Sequence, residues 1–166
     1  MQVNPGDIIF TRPKSWIFNI IRRITKGEYG HVCIVTHTIS KHIFITEALP
    51  SGVDVNDWIW HKMKDEDYIV YRNTKASYKE IKKFIRRTVE YHGTPYDKIA
   101  LLNFIIGRTC FGTDKAVYCS ELAYRVLYKY KLISTEFQTN PEKISPKMLR
   151  DILEADEDWE VVDKKD

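Results

Sequence analysis

The chain is poor in the features that mark specialised protein classes. Its three cysteines are an odd number with no close pair, so a disulfide framework is not expected and reduced thiols in a cytosol-like compartment fit best. No stretch approaches the roughly 20 apolar residues that a spanning helix needs. The longest run without Asp, Glu, Lys or Arg is Tyr29 to Ser40, and it holds two histidines. Met1 to Phe10 lacks the charged-then-apolar layout of a secretory leader, and Asp7 interrupts it. A cytoplasmic protein without a transmembrane segment is the expectation. Charge of one sign is missing too: 26 Lys and Arg face 23 Asp and Glu, a net +3. These charges are scattered, and the pair Arg86-Arg87 is too short for a footprint, so nucleic acid is not an expected partner. There is no repeat, no low-complexity run and no linker rich in Gly, Pro or Ser. Residues 1–166 therefore read as one domain, with 155–166 expected to be a frayed charged tail.

What is present is an ordinary globular composition, 43% hydrophobic and 30% charged, long enough to bury a core. Gly6 to Phe10 reads as a short strand entered through a Pro5-Gly6 turn. Lys14 to Thr25 places Trp16, Ile17, Ile20, Ile21 and Ile24 at helical spacing, stopped by Gly27. Such a basic amphipathic helix packs on a core or lies on a membrane surface, so peripheral membrane contact stays open. Two β-rich runs follow, His31 to His37 and Lys41 to Glu47, with strand-like segments near Gly52–Val55 and Asp67–Arg72. Trp58 to Met63 is ambiguous. Ser77 to His92 is the clearest helix: Ser77 and Glu80 form a capping box, and Tyr78, Ile81, Phe84, Ile85 and Val89 make its stripe. Further helices are expected over Lys98–Ile106, Tyr118–Tyr130 and Ser145–Leu153, with a last strand at Trp159–Val162. Strands segregated from helices argue an α+β fold with an antiparallel sheet.

Cys119 opens the apolar stripe of the Tyr118–Tyr130 helix, with Leu122, Ala123, Val126 and Leu127 behind it. Glu121, Arg125 and Lys129 take the other face. Free amides and the positive dipole end at a helix start lower a thiol's pKa, and the thiolate is the nucleophile. The bland alternative is a buried cysteine acting as a small hydrophobe. A helix beginning as early as Asp114 would weaken the dipole argument. A nucleophile needs a base, and the base an orienting group. If the hairpin is centred on Ile39, His31 lies directly opposite Glu47, on the same face and within reach of it. A slip of one residue would separate them. Catalysis and simple hairpin stabilisation both fit this pair.

Several short motifs occur in a fixed order: Gly6-Asp7-Ile8-Ile9-Phe10, Gly30-His31-Val32, Glu47-Ala48 with Gly52-Val53, Gly93-Thr94-Pro95-Tyr96-Asp97, Tyr118-Cys119-Ser120-Glu121-Leu122 and Ser145-Pro146. Together they resemble the circularly permuted NlpC/P60 family, the YiiX/YebB-like branch of the papain-like thiol hydrolases. The resemblance runs from residue 6 to about 150 and implies a small antiparallel sheet or partial barrel packed against helices. It carries over Cys119 as nucleophile, His31 as base and Glu47 as third member of a catalytic triad. Tyr118 becomes a candidate for the oxyanion wall, and Tyr96 and Asp97 either line the cleft or form a structural turn. Lys98 to Val117 departs from the simplest family pattern; it could cover the cleft, contact an acyl chain or simply pack.

The expected function is cysteine hydrolysis of the amidase or peptidase kind on a peptide or small acyl substrate, with no cofactor. A lipid-directed thiol acyltransferase or esterase is the alternative, and a non-catalytic scaffold a third. No Cys-x-x-Cys or His-x-x-x-His spacing supports a zinc site from His31, Cys33, Cys110 and Cys119, so no metal is expected. Cys33 reads as a core or cleft-wall residue. His37, His42, His61 and His92 read as surface or satisfied histidines. Nothing in the pattern sets an oligomeric state.

Overall fold

A computed structural model describes residues 3–59, 65–98 and 116–166. The elements run β1 (Ile8–Thr11), α1 (Trp16–Thr25), β2 (His31–Ile39), β3 (His42–Leu49), β4 (Gly52–Asp57), β5 (Tyr68–Asn73), α2 (Tyr78–Val89), α3 (Cys119–Lys129), α4 (Pro146–Ala155) and β6 (Trp159–Lys165). The strands form one antiparallel sheet in the order β4-β3-β2-β1-β5-β6. This is the expected α+β class. The helix expected over Lys98–Ile106 lies outside the described residues except for its first position, and so does most of Trp58–Met63.

β1 is the centre of the sheet. It pairs with β2 on one side and β5 on the other, and Ile8, Ile9 and Phe10 are fully buried. The helices gather on one face, where Ile8, Phe10, Val32, Ile34 and Tyr71 meet Phe18 of α1, Phe84 of α2, Leu122 of α3 and Leu149 of α4. Ile9, Cys33, Val35, Ile45 and Val70 point the other way and pack with Trp58. Two helices follow the stripe their spacing suggests only in part, with Ile17, Ile21, Ile81, Phe84 and Ile85 at the core. In α1 the buried residues are Phe18 and Ile21, while Trp16 is 72% and Ile24 39% exposed. In α2 the expected Phe84 is buried, together with Thr88, and Ile81 and Ile85 pack against the core, while Tyr78 and Val89 are exposed.

The C-terminal tail is not frayed. Trp159–Lys165 pairs with β5 along its length, from Trp159 opposite Asn73 to Lys165 opposite Tyr68. Its charges suit an edge strand, whose outer side meets water.

The β2–β3 hairpin differs from the expectation in register. Ile39 pairs with His42 across a two-residue turn, Ser40-Lys41, and a β-bulge between Val35 and His37 then shifts the pairing. Beyond the bulge Cys33, not His31, lies opposite Glu47. His31 is therefore a diagonal neighbour of Glu47, two residues along from the expected pairing but on the same face. Ser40 adopts φ 55, the left-handed region that costs a non-glycine residue about 1–2 kcal/mol. Glycine removes that cost but gains unfolded-state entropy worth about 0.4–1 kcal/mol. Ser40→Gly is thus expected to stabilise the fold by about 0.5–1 kcal/mol in urea unfolding; a destabilised variant would show that this turn is not strained.

Candidate active site

The start of α3 is held from several sides. Tyr118 is its N-cap and Cys119 its first helical residue, so the thiol stands in the first turn, where backbone amides lack intrahelical acceptors. The hydroxyl of Tyr118 donates to the Glu142 carbonyl at 2.7 Å, and the Ser120 hydroxyl donates to the Ile144 carbonyl at 2.6 Å. Both bonds clamp the helix start to the 3-10 turn Pro141–Lys143. Val117, two residues before the thiol, forms a parallel bridge with Tyr96. The Asp97 amide donates to the Val117 carbonyl, and the Val117 amide to the Pro95 carbonyl. That same segment ties to β4, where Val53 exchanges backbone hydrogen bonds with Gly93 and Thr94. The Gly93–Asp97 motif is thus a structural tie that also positions residues beside the thiol.

The hairpin supplies the other half of the site. His31 is the first residue of β2, and Gly30 before it lets α1 approach: a Cβ at Gly30 would stand 2.8 Å from the Phe18 carbonyl oxygen. The Phe18 ring lies 5.0 Å from the His31 ring, centroid to centroid. Nε2 of His31 meets Oε2 of Glu47 at 2.6 Å, with both side chains buried. Asn56 of β4 donates to Oε1 of Glu47 at 3.0 Å, and the Cys33 thiol faces Oε2 at 3.7 Å. Burial alone would lower the imidazole pKa. Interactions with the Cys33 and Cys119 thiols outweigh it and hold the imidazole well above the ordinary histidine value. The carboxylate of Glu47 acts in the same direction. Burial pushes the Cys33 thiol up to about 12, an effect His31 offsets only in part.

The structure therefore brings Cys119, His31 and Glu47 together: the imidazole is bonded to the carboxylate and interacts with the thiol. Tyr118 is adjacent, but its hydroxyl proton is committed to Glu142. Burial keeps the Tyr96 hydroxyl protonated, and the charges of Cys119 and His31 also reach it. Asp97 is buried next to it. Sequence reasoning missed Asn56, which has no motif and is recognisable only through strand alternation on β4. It also left Cys33 as a wall residue, although Cys33 faces the Glu47 carboxylate. Cys110 lies outside the described residues. A thiol at a helix start beside an imidazole that a carboxylate holds can carry out acyl transfer through a thioester.

Residues 2–152 match the model of a family described as permuted papain-like amidase, YaeF/YiiX, C92. Among solved structures the fold is similar to the crystal structure of metalloprotein YiiX from Escherichia coli O157:H7, with 22% identity, a TM-score of 0.71 and 99% of each chain covered. A comparison with curated proteins finds no match. Among the described residues no helix is long and apolar enough to cross a membrane.

Glu121, next but one to the thiol, departs from the amphipathic expectation. It is only 1% exposed, and burial raises its carboxyl pKa to about 7, against the pull of Arg125 at 2.8 Å. The folded carboxyl therefore keeps its proton where the unfolded chain has lost it. Stability from this residue is fully present below the ordinary glutamate value of 4.5 and is lost as pH rises through about 7. The shift corresponds to on the order of 3 kcal/mol. Thermal unfolding midpoints are expected to fall between pH 5 and pH 8 (roughly the titration window) and to fall less in Glu121→Gln. An identical pH slope in the two proteins would remove Glu121 as its source.

Proposed function

Because this chain belongs to the permuted papain-like amidase family, we propose that it is a thiol hydrolase in which Cys119 attacks an amide carbonyl, His31 is the base and Glu47 orients that base. The observation that carries this reading is the imidazole of His31, bonded through Nε2 to Glu47 while interacting with the Cys119 thiol. With Nε2 committed, Nδ1 is the nitrogen left to exchange a proton with sulfur. Cys33 is the poorer nucleophile: it stands in mid-strand, facing a carboxylate, and its thiol is pushed up to about 12. Cys119 has the first-turn amides of α3.

The thiol gives its proton to His31, and the thiolate adds to the carbonyl carbon. Backbone amides of the first turn and the Tyr96 hydroxyl receive the oxyanion. As the C–N bond breaks, His31 returns the proton to the leaving amine and a thioester remains. His31 then takes a proton from water, whose oxygen displaces sulfur, releasing the acid and restoring the thiol. Glu47 holds the ring and its tautomer without becoming a proton carrier. These steps call for no cofactor.

The substrate reading rests on the groove beside α1. Arg12, Arg22 and Arg23 line a cavity of about 540 Å³ with Asn19, Ile20 and the single acid Glu28. A peptide bearing acidic groups suits this lining. A lipid ester under an anionic headgroup is the second reading, favoured by the exposed Trp16 indole on the same helix as Arg22 and Arg23.

Chloroacetamide labelling at neutral pH tests the assignment. Cys119 is expected to be alkylated stoichiometrically, at a rate at least tenfold lower in His31→Ala and reduced in Glu47→Gln. Equal labelling of Cys119→Ala would overturn the choice of nucleophile. Tyr96→Phe is expected to lower kcat by about 10²–10³ if its hydroxyl serves the oxyanion. Amine release from a peptide library against acyl release from lipid esters decides between the two substrates.

A further inference from the structure

Behind the imidazole, on the side that faces Glu47, lies a donor that the hydrolase mechanism does not use, the Cys33 thiol, 3.7 Å from the Glu47 carboxylate. Cys33 is two residues along β2 from His31 and therefore on the same face, and Glu47 is opposite Cys33 on β3. One nitrogen, one sulfur and one carboxylate oxygen from these three buried residues all lie within 4.8 Å of one another. We propose that His31, Cys33 and Glu47 bind a zinc-like divalent cation, and that this cation switches off the base. The second part rests on the hydrolase reading above; the first does not.

The donor chemistry selects the metal class. Imidazole nitrogen, thiolate and carboxylate in one set suit Zn²⁺ and its borderline-soft neighbours, and exclude an all-oxygen Mg²⁺ or Ca²⁺ cage. Tetrahedral coordination with bonds of about 2.0–2.3 Å places donors about 3.4–3.6 Å apart. The Cys33–Glu47 separation of 3.7 Å already fits. The His31–Glu47 pair, at 2.6 Å, must open by about 0.8 Å as the metal replaces the shared proton. Asn56 holds the other oxygen of Glu47 at 3.0 Å, which leaves Oε2 facing the site. That is the outer-shell support that ligating carboxylates usually have. Thr11, directly opposite His31 on β1, adds an independent observation: its buried hydroxyl has no hydrogen-bond partner among the described residues. It is available to a water in the fourth position.

Binding releases the Cys33 proton to solvent, while the proton displaced from Nε2 is taken up at Nδ1. Nε2 then donates its lone pair to the metal, and a neutral imidazole bound there carries its remaining proton on Nδ1. That nitrogen can no longer accept the proton of Cys119. The metal silences the thiol without touching it. Ordinary metal poisoning of a thiol enzyme, in contrast, runs through the nucleophilic sulfur itself.

The test uses Zn²⁺ and Co²⁺ on the full chain. Competition with a chromophoric chelator is expected to show one Zn²⁺ per chain, unchanged within twofold in Cys119→Ala and weakened at least tenfold in Cys33→Ser. The Cys110→Ser/Cys119→Ala double variant retains Cys33 as its sole cysteine. With one equivalent of Co²⁺ it is expected to show thiolate-to-metal charge-transfer absorption, which decides the matter even if Cys33→Ser fails to fold. Undiminished Zn²⁺ affinity in Cys33→Ser, loss of binding in Cys119→Ala, or no charge-transfer band in the double variant would each overturn the site. Slower chloroacetamide labelling of wild-type Cys119 at saturating Zn²⁺ is expected. Unchanged labelling with Zn²⁺ bound would overturn the switch alone, and failure of the hydrolase reading would appear separately, as a Cys119 that does not label without metal.

Discussion

The extra residue that β2 carries near Thr36 decides which side of the sheet its first half presents. Counting outward from the Ser40-Lys41 turn, an unbroken ladder would set Ile34 opposite Glu47 and place His31 on the face away from that carboxylate. The bulge between Val35 and His37 shifts the pairing by one residue, and a shift of one exchanges the two faces of a strand. His31 and Cys33 thereby join Glu47, while Val32 and Ile34 turn to the helices. A single irregularity in the backbone thus gives β2 both its core residues and its chemistry.

The other half of the site depends on rigidity at the beginning of α3. Tyr118 and Ser120 flank the thiol in sequence, and their hydroxyls reach two carbonyls of the same short turn. Glu121 is buried at an electrostatic cost that Arg125 only partly offsets. A buried carboxyl that prefers to be neutral is an odd choice for stability alone. Its Oε2 lies 3.4 Å from the Tyr118 amide, which closes the helix start from inside. The residues around the thiol spend stability on fixing its position, as sites that need defined geometry commonly do.

Much of this was legible in the sequence, and the reasons differ by element. The α2 start could be read because a Ser and a Glu three apart satisfy each other locally, and the structure shows both bonds. The helix start at Cys119 and the placing of His31 and Glu47 on one face could be read from periodicity and parity. The register itself could not: bulges have no strong residue signature, and Thr36 is an ordinary strand residue. Asn56 was invisible because its role needs three strands to be in place. The stripe of α1 was misjudged because Trp16 and Ile24 satisfy the spacing rule as well as Phe18 does, and only the sheet's position chooses between them. The resemblance to a permuted papain-like family rested on ordered short motifs, and the match over residues 2–152 agrees with it.

The two outermost strands carry features that disfavour the addition of a further strand. β4 has part of its free side occupied, since Gly93 and Thr94 take up the amide and carbonyl of Val53, and Asp54 and Asp57 follow along it. β6 ends in Asp163, Lys164 and Lys165, with Lys165 bonded to Asp65 and Lys164 to Asp166 just beyond the strand. A second molecule that tried to add its own ladder there would have to strip water from this row of mixed charges. The sequence that closes the sheet is thus also the one that keeps it finite.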